Sequence, residues 1–494
     1  MSNEIIVDVS MGQTRVALLE DKELVELYVE SPEHQGMVGN IYRGRVESVL
    51  QGMQAAFIDI GYEKNAFLHI RDIGAEYKDG GKTNNSGKLC ITDILKEGQE
   101  ITVQVIKEAI GTKGPRVTTN ITLPGRYLVL VTHADYVGIS KRITNEQERN
   151  RLREIAKSIQ PKGMGLIVRT EGEEKGIQDL MQDLNLLLKL WNNIKAAEQS
   201  AQVPSLIHKD FDLLLRSVRD LFTYSIDKFV INNREQYTRV VELTDMLSPS
   251  LTSRVEYFSK DYPVFEYYKI ENKIDKSLNK KVWLKCGGYI VIDRTEALTV
   301  IDVNTGKYVG ETDLEETVLK TNLEAAKEIA KQLRLRDIGG IIIIDFIDMH
   351  GQEHREKVIE ALKNYLKKDK TKTTVVGITQ LGLVEMTRKK VRDRLETLMQ
   401  LDCPNCRGTG KVLSNEMLIR LIEREVYRVA NQSIAPIIQV KIHPEASLLL
   451  SKDNKNRIKY LEKILNKEIQ FKTCSSLKYD NIIAEGVDNH SNVC

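Results

Sequence analysis

The first thirty positions carry three short apolar runs separated by polar, turn-like residues. Segments 4–9, 14–20 and 24–30 read as short strands, punctuated by Met11-Gly12-Gln13 and Asp21-Lys22. Short strands continue from Val38 to about Thr119. Within them, 77–88 has no periodicity and carries Gly80-Gly81 and Asn84-Asn85-Ser86, so a mobile loop is expected there. After Pro124-Gly125 the pattern becomes mixed. Strands are expected at 126–132 and 165–169, and helices at 145–159 and 176–197, the latter with Ile177, Leu180, Leu184, Leu187 and Leu188 at helical spacing. A boundary is expected near 201–204 and a helix at 210–222. Segment 281–303 reads as three strands turned at Gly287-Gly288 and at 293–296. Thr312-x-x-Glu315 is a capping box opening a helix with Leu314, Val318, Ala326, Ile329 and Leu333 on one face. The run 341–344 is isoleucine throughout, apolar on both faces as in a strand buried on both sides. A helix at 353–367 and a strand at 373–378 follow. The alternation from 281 to about 399 is of the α/β type. The remainder is mixed, with helices at 416–431 and 455–465.

A length of 494 residues suggests about three domains. The 72 basic and 70 acidic residues nearly cancel, which excludes a uniformly basic coat but leaves room for a local basic face. Six cysteines in so long a chain exclude a disulfide scaffold and point to a reducing, cytoplasmic setting. The start MSNEIIVDVS is unlike a signal peptide, and no apolar run approaches the roughly 18 residues of a membrane span.

In 54–60 (QAAFIDI) and 65–70 (NAFLHI), alternation puts Ala56, Ile58, Ile60, Ala66, Leu68 and Ile70 into core rows. Phe57, Asp59, Phe67 and His69 are left on the opposite faces. Two Phe sharing a face with Asp and His suit base stacking, worth about 1–3 kcal/mol per base. Alternation alone fits equally well a Phe pair covered by another domain. Lys107, Lys113 and Arg116 lie nearby in sequence and could hold phosphates.

Asp302 follows apolar residues and precedes the turn-like Asn304-Thr305-Gly306, and Asp345 directly follows the four Ile. A carboxylate ending a buried strand is costly unless paired, hydrogen-bonded or on a metal. Two of them in one α/β unit can converge on Mg²⁺, with Asn304 orienting a carboxylate and Asp348 as a weaker third candidate. Each Asp alone also fits a structural turn cap. Gly306-Lys307 lacks the rest of a phosphate-binding loop. His350 and His354 flank Gly351 and suit a solvated helix start. Arg388, Lys389, Lys390, Arg392 and Arg394 put five cations in seven positions, which suits either a solvated helix face or a phosphate guide, and the guide is favoured.

Cys403-Pro404-Asn405-Cys406-Arg407-Gly408-Thr409-Gly410 is a knuckle in which two thiolates can face one ion. Structural zinc takes four ligands, and the other cysteines are scattered, so the second pair is expected from another copy across a two-fold axis. A redox role and a metal-free knuckle are the alternatives.

The string GNIYRGRVESVLQGMQAAFIDIGYEKNAFLHI resembles an S-one type OB-fold. With TEALTVIDVNTGKYVG, IGGIIIIDFIDM, QLGLVEMTRK and CPNCRGTG in this order, the chain resembles the ribonuclease E/G family, and more its G-type than its long-tailed E-type members. The resemblance implies a multidomain α/β and α+β fold. A ribonuclease-H-like domain (1–36 and 216–280) would hold the OB-fold RNA-binding domain (37–123) and a 5′-phosphate sensor region (124–215). A deoxyribonuclease-I-like catalytic domain (281–400), a zinc link (401–415) and a small C-terminal domain (416–494) would follow. It implies a Mg²⁺-dependent, single-strand-specific endoribonuclease leaving 5′-phosphate and 3′-hydroxyl ends, favouring 5′-monophosphorylated RNA, and serving ribosomal RNA processing and mRNA decay. It carries Mg²⁺ onto Asp302 and Asp345 with Asn304 in support, and zinc shared between two subunits, as a dimer or tetramer, onto Cys403 and Cys406. RNA binding falls on Phe57, Phe67 and Lys113. Matching 165–170, it carries 5′-phosphate recognition onto Arg169 and Thr170. A non-catalytic RNA-binding or ribosome-assembly factor is the alternative, and the acid pair discriminates, since a pure binder has no need of it.

Overall fold

The computed structural model describes residues 2–31, 36–74, 77, 90–109, 113–306, 314–406, 408–448 and 455–488. Apart from Tyr77, the expected loop at 77–88 lies outside these, as do Thr312 of the expected capping box, Lys307 and Arg407. The chain is a mixed α/β multidomain protein of two units, Met1–Leu398 and Met399–Cys494. Among the described residues no helix is long and apolar enough to cross a membrane.

The expected meander forms as Asn3–Ser10, Gln13–Glu20 and Glu23–Glu30. Its turns are sharp because Met11, Gly12, Asp21 and Lys22 all take positive φ. The sheet is completed from far along the chain. Lys228–Ile231 joins Asn3–Ser10 in parallel, and Val255–Tyr257 joins Lys228–Ile231 in turn. Ile5, Val7 and Val16 pack with Leu214, Val218, Phe222, Phe229 and Val240, so segments some two hundred residues apart share one core.

Ile41–Leu50, Ala55–Asp59, Ala66–His69, Arg116–Thr118 and Glu100–Lys107 follow one another around a sheet that closes when Glu100–Lys107 pairs back to Ile41–Leu50. The result is a small five-stranded barrel. Closure brings Gly44 so near its neighbour that a Cβ there would stand 2.7 Å from the Asp59 carbonyl oxygen. Where a boundary was expected near 201–204, the chain instead returns to this sheet, and Ser205–His208 pairs with Ile41–Leu50.

A four-stranded sheet (Val137–Ile139, Met164–Val168, Leu128–Thr132, Thr122–Pro124) packs against helices Glu146–Ile159 and Ile177–Ser200. The first helix starts where expected because Asn145 accepts the N–H groups of Gln147 and Glu148.

The last sheet of this unit runs Lys281–Trp283, Tyr289–Arg294, Leu298–Asn304, Gly340–Asp345, Val384–Arg388, Thr373–Ile378. Leu298–Asn304 and Gly340–Asp345 are parallel neighbours, joined by helix Leu314–Leu335. Ile301, Val303, Ile342 and Ile344 are buried against the residues of that helix and of Gln352–Leu366. Both helices serve the same face, however. Ile341 is 50 % exposed and Ile343 half-buried, so the isoleucine run is not buried on both sides as its composition suggests.

In the second unit, Ile437–Ile442 is flanked by Glu468–Thr473 in parallel and Ile483–Val487 antiparallel. Helices Asn415–Gln432 and Lys455–Leu465 supply Leu418, Ile422, Val426 and Leu461 to its core.

Candidate active site

The open face of the six-stranded sheet brings Asp302 and Asp345 together. They are direct partners in the parallel register, at the ends of neighbouring strands about 4.8 Å apart. Both are exposed. The expectation of a buried charge is therefore corrected: the open face spares these side chains deep burial. Asn304 donates from Nδ2 to Asp302 Oδ2 at 2.7 Å, fixing that carboxylate two residues upstream on the same face. The Asp345 carboxyl is pushed above its ordinary value, first by partial burial and then by the charges of Asp302 and Asp348. Two facing carboxylates, one of them held by an amide, form a donor pair of the kind a hard divalent cation accepts, because its charge relieves their repulsion. Asp348 is exposed beside this pair. His350 is exposed and His354 lies in the first turn of helix Gln352–Leu366.

On the barrel, Phe57 and Phe67 are cross-strand partners with centroids 6.0 Å apart, edge to face. Phe67 pairs in turn with Arg116, and Arg116 with Lys107. One surface row thus reads Phe, Phe, Arg, Lys. The two rings are half-buried while Ala56, Ile58, Ala66 and Leu68 are fully buried, as alternation predicts. Asp72 holds Arg116 at 2.7 Å. Lys113 is exposed, three residues before Arg116. His69 accepts the Arg71 N–H on Nδ1 and so also works as a local cap.

Arg169 and Thr170 follow strand Met164–Val168. The Arg169 guanidinium donates to the Gly125 carbonyl and pairs with Asp220 at 2.8 Å. Burial pushes the Asp220 carboxyl up, but Arg219, hydrogen-bonded to it, and Arg169 outweigh this and hold it below its ordinary value. Lys370 Nζ donates to the Asp220 carbonyl at 2.9 Å, and Thr170 Oγ1 lies 3.1 Å from Ser140 Oγ. Gly125 has no room for a side chain: a Cβ would fall 2.5 Å from Asp183 Oδ2, because Asp183 accepts the N–H groups of Arg126, Tyr127 and Leu128. Sequence reasoning found none of Asp220, Lys370 or Gly125 here. The Pro124-Gly125 break was visible, but nothing local marked the other two.

The basic run at 388–394 is not a helical face. Arg388 ends a strand, 3 % exposed, and is clasped by Asp369 at 2.7 Å and Asp337 at 2.5 Å. Arg392 pairs with Asp337 at 2.9 Å and covers the Tyr28 ring, and Arg394 donates to the Gly339 carbonyl. These three arginines are structural, and only Lys389 and Lys390 are exposed and outside this network. The expected phosphate guide is corrected accordingly.

In the second unit, Cys403 and Cys406 flank a turn, with Gly408 and Gly410 at positive φ. The backbone N–H groups of Cys406 and Asn405, then the Cys406 side chain, hold the exposed Cys403 thiol below its ordinary value. This favours the thiolate, the form that ligates zinc. Among the described residues no group of three or more His, Cys, Asp or Glu side chains gathers into a cation site, so this knuckle supplies at most half of a four-ligand centre.

Comparison with known proteins converges on one assignment. Residues 122–391 match the sequence model of the "Ribonuclease E/G family". The chain is 41 % identical to Ribonuclease G of Haemophilus influenzae over 473 residues, covering 95 % of this chain and 96 % of that one. It is 39 % identical to Ribonuclease G of Escherichia coli over 472 residues, with the same coverage. Against Ribonuclease E of Escherichia coli the identity is 39 % over 462 residues, 91 % of this chain but 43 % of that one. Identity over nearly the full length, together with a family match that contains both Asp302 and Asp345, places this chain in the ribonuclease E/G family.

Proposed function

We propose that the chain hydrolyses single-stranded RNA at the Asp302–Asp345 face, as an endoribonuclease of RNA processing and decay. The observation that carries this reading is the in-register carboxylate pair, with Asn304 locking Asp302. Asp302 and Asp345 would hold Mg²⁺. Such an ion, when bound, lowers the pKa of water and neutralises charge growing on the phosphodiester. Asn304 keeps Asp302 from rotating away, and the open sheet face lets an extended strand approach. Phe57 and Phe67 stack unpaired bases, and Lys113 takes a phosphate. Arg169 and Thr170 receive a 5′-monophosphate. Asp220 already balances part of the Arg169 charge, which discriminates against uncharged 5′-hydroxyl ends. The products carry 5′-phosphate and 3′-hydroxyl ends, and ribosomal RNA precursors and mRNA in the cytoplasm are the substrates.

The same reading assigns the sheet of 1–36 and 216–280 as ribonuclease-H-like, the barrel of 37–123 as an S-one OB domain, and 124–215 as the sensor region. It assigns 281–400 as the deoxyribonuclease-I-like catalytic domain, 401–415 as the zinc link and 416–494 as a small terminal domain. Zinc on Cys403 and Cys406 would join two subunits, with a tetramer as the higher assembly.

The test compares 5′-monophosphate and 5′-hydroxyl forms of a short A/U-rich RNA in Mg²⁺ buffer. Wild type should cut the monophosphate form faster, Asp302→Asn should cut neither, and Arg169→Ala should cut both at the slower rate. RNA binding by wild type without any cutting would refute the nuclease reading and favour a non-catalytic RNA-binding protein.

A further inference from the structure

The open face of the catalytic sheet carries an aromatic pair that none of these roles uses. Trp283 is the direct partner of Tyr289, and Tyr289 of Asn304, across three adjacent strands. The next row on the same face runs Lys281, Val291, Asp302, Asp345. With about 4.8 Å between strands and 3.3 Å per residue, Tyr289 stands roughly 8 Å from Asp302 and Trp283 roughly 12 Å from it. The two rings meet edge to face, with centroids 5.3 Å apart. Lys281 Nζ lies 4.3 Å from the Trp283 centroid and 3.5 Å from that of Tyr289. The rings are thus braced by each other and by an ammonium, yet Trp283 stays 55 % exposed.

We propose that Trp283, steadied by Tyr289 and Lys281, stacks a nucleobase adjoining the scissile phosphate held at Asp302 and Asp345. This rests on the nuclease reading above. A braced indole with solvent access offers a π face that any base can match, so it grips the strand without demanding a sequence. The neighbouring ammonium suits the phosphate linked to that base. The position, on the same face and two strands from Asp302, favours RNA over a protein partner. It also gives the active face its own hold on the strand, separate from Phe57 and Phe67 on the barrel. That hold would fix which phosphodiester sits at the carboxylates, whereas the barrel can only fix how much RNA is bound.

The test uses the full-length protein and a 5′-monophosphorylated RNA with one cleavage site, made as a series with a single abasic residue at successive positions. In wild type, one position adjoining the cut should lower kcat/KM by about tenfold, within the range of a lost base–aromatic stack. Trp283→Ala should be about tenfold slower on intact RNA and indifferent to the abasic residue at that one position. Trp283→Phe should restore most of the loss. A second readout needs no cutting. The chain has two Trp, and the other, Trp191, is 3 % exposed, so fluorescence changes on RNA binding report Trp283. Asp302→Asn protein should be quenched by intact RNA and much less by RNA abasic at that position. An abasic profile in Trp283→Ala identical to wild type, or no quenching, overturns the proposal. An unchanged profile with an altered sedimentation coefficient also overturns it and assigns the ring to a protein contact. If wild type cuts none of the RNAs, the nuclease reading fails, and the quenching experiment still decides the stacking surface by itself.

Discussion

Replacing Arg388 by Met should destabilise the six-stranded sheet rather than weaken RNA binding. The guanidinium is 3 % exposed. Its Nε donates to Asp369 Oδ2 at 2.7 Å, Nη1 to Asp337 Oδ1 at 2.5 Å and to the Ile338 carbonyl at 3.1 Å, and Nη2 to Thr371 Oγ1 at 3.2 Å. Both carboxylates are buried, 8 % exposed each. Removing one partner of a buried ion pair costs about 3–5 kcal/mol, because the remaining charge is stranded. The two stranded acids are not equal. Asp337 keeps Arg392 at 2.9 Å, whereas Asp369 keeps only the Thr371 N–H at 2.8 Å. Most of the loss therefore falls on Asp369, and about 3–4 kcal/mol is expected for Arg388→Met. Adding Asp369→Leu should recover a large part of it, since the orphaned charge then disappears. Urea unfolding, followed by hydrogen exchange in the strands around Ile342 and Met386, measures this without treating the whole chain as one transition. The contrasting variant is Lys389→Ala/Lys390→Ala, which should leave stability nearly unchanged. If Arg388→Met proved as stable as wild type but reduced the slope of log affinity against log salt by about 0.7, Arg388 would be a phosphate contact and the reasoning would be refuted.

Three further outcomes are expected. Asp220 has a depressed folded value, so its pairing with Arg219 and Arg169 adds stability above the ordinary carboxylate range and loses it as pH falls through the lower folded value. Melting of wild type should fall more steeply below about pH 4 than that of Asp220→Asn, and parallel melting curves would contradict this. Phe57→Ala should weaken single-stranded RNA binding by about 1–3 kcal/mol while leaving the salt slope intact, which a filter-binding titration at several salt concentrations reads directly. Cys403→Ser, or a zinc chelator at neutral pH, should reduce the assembled mass in sedimentation, whereas an unchanged mass would assign the knuckle to a purely local role.

Much of the secondary structure was legible because its causes are local. The strand at 13–20 follows from a short apolar run after the Met11-Gly12-Gln13 turn, and the helix at 146 from the Asn145 cap. The acid pair was legible for the same reason, since each Asp ends an apolar run. What escaped depends on partners distant in the chain. The pattern of 341–344 says that isoleucines are present, but only the packing of both helices on one face determines that Ile341 meets solvent. A cluster of arginines looks the same whether it faces water or clasps Asp337 and Asp369, and those partners lie 51 and 19 residues upstream of Arg388. Asp220 lies 51 residues from Arg169 with no motif between them. Trp283 and Tyr289 read as ordinary strand residues, and only the register placed them on the face of Asp302.

The sheet that begins the chain sets an order of events during synthesis. Asn3–Ser10 receives its second neighbour only from Lys228–Ile231, in parallel. At about 5–20 residues per second, the ribosome supplies that partner roughly ten to forty seconds after the meander emerges. In that interval the barrel and the four-stranded sheet with its two helices can complete themselves from contiguous sequence, while the apolar strand IIVDV waits with an unpaired edge. The nascent chain is therefore most vulnerable at Asn3–Ser10. A chaperone that shields residues 3–10 until Ile231 has been made would raise the yield of folded enzyme without touching Asp302 or Asp345.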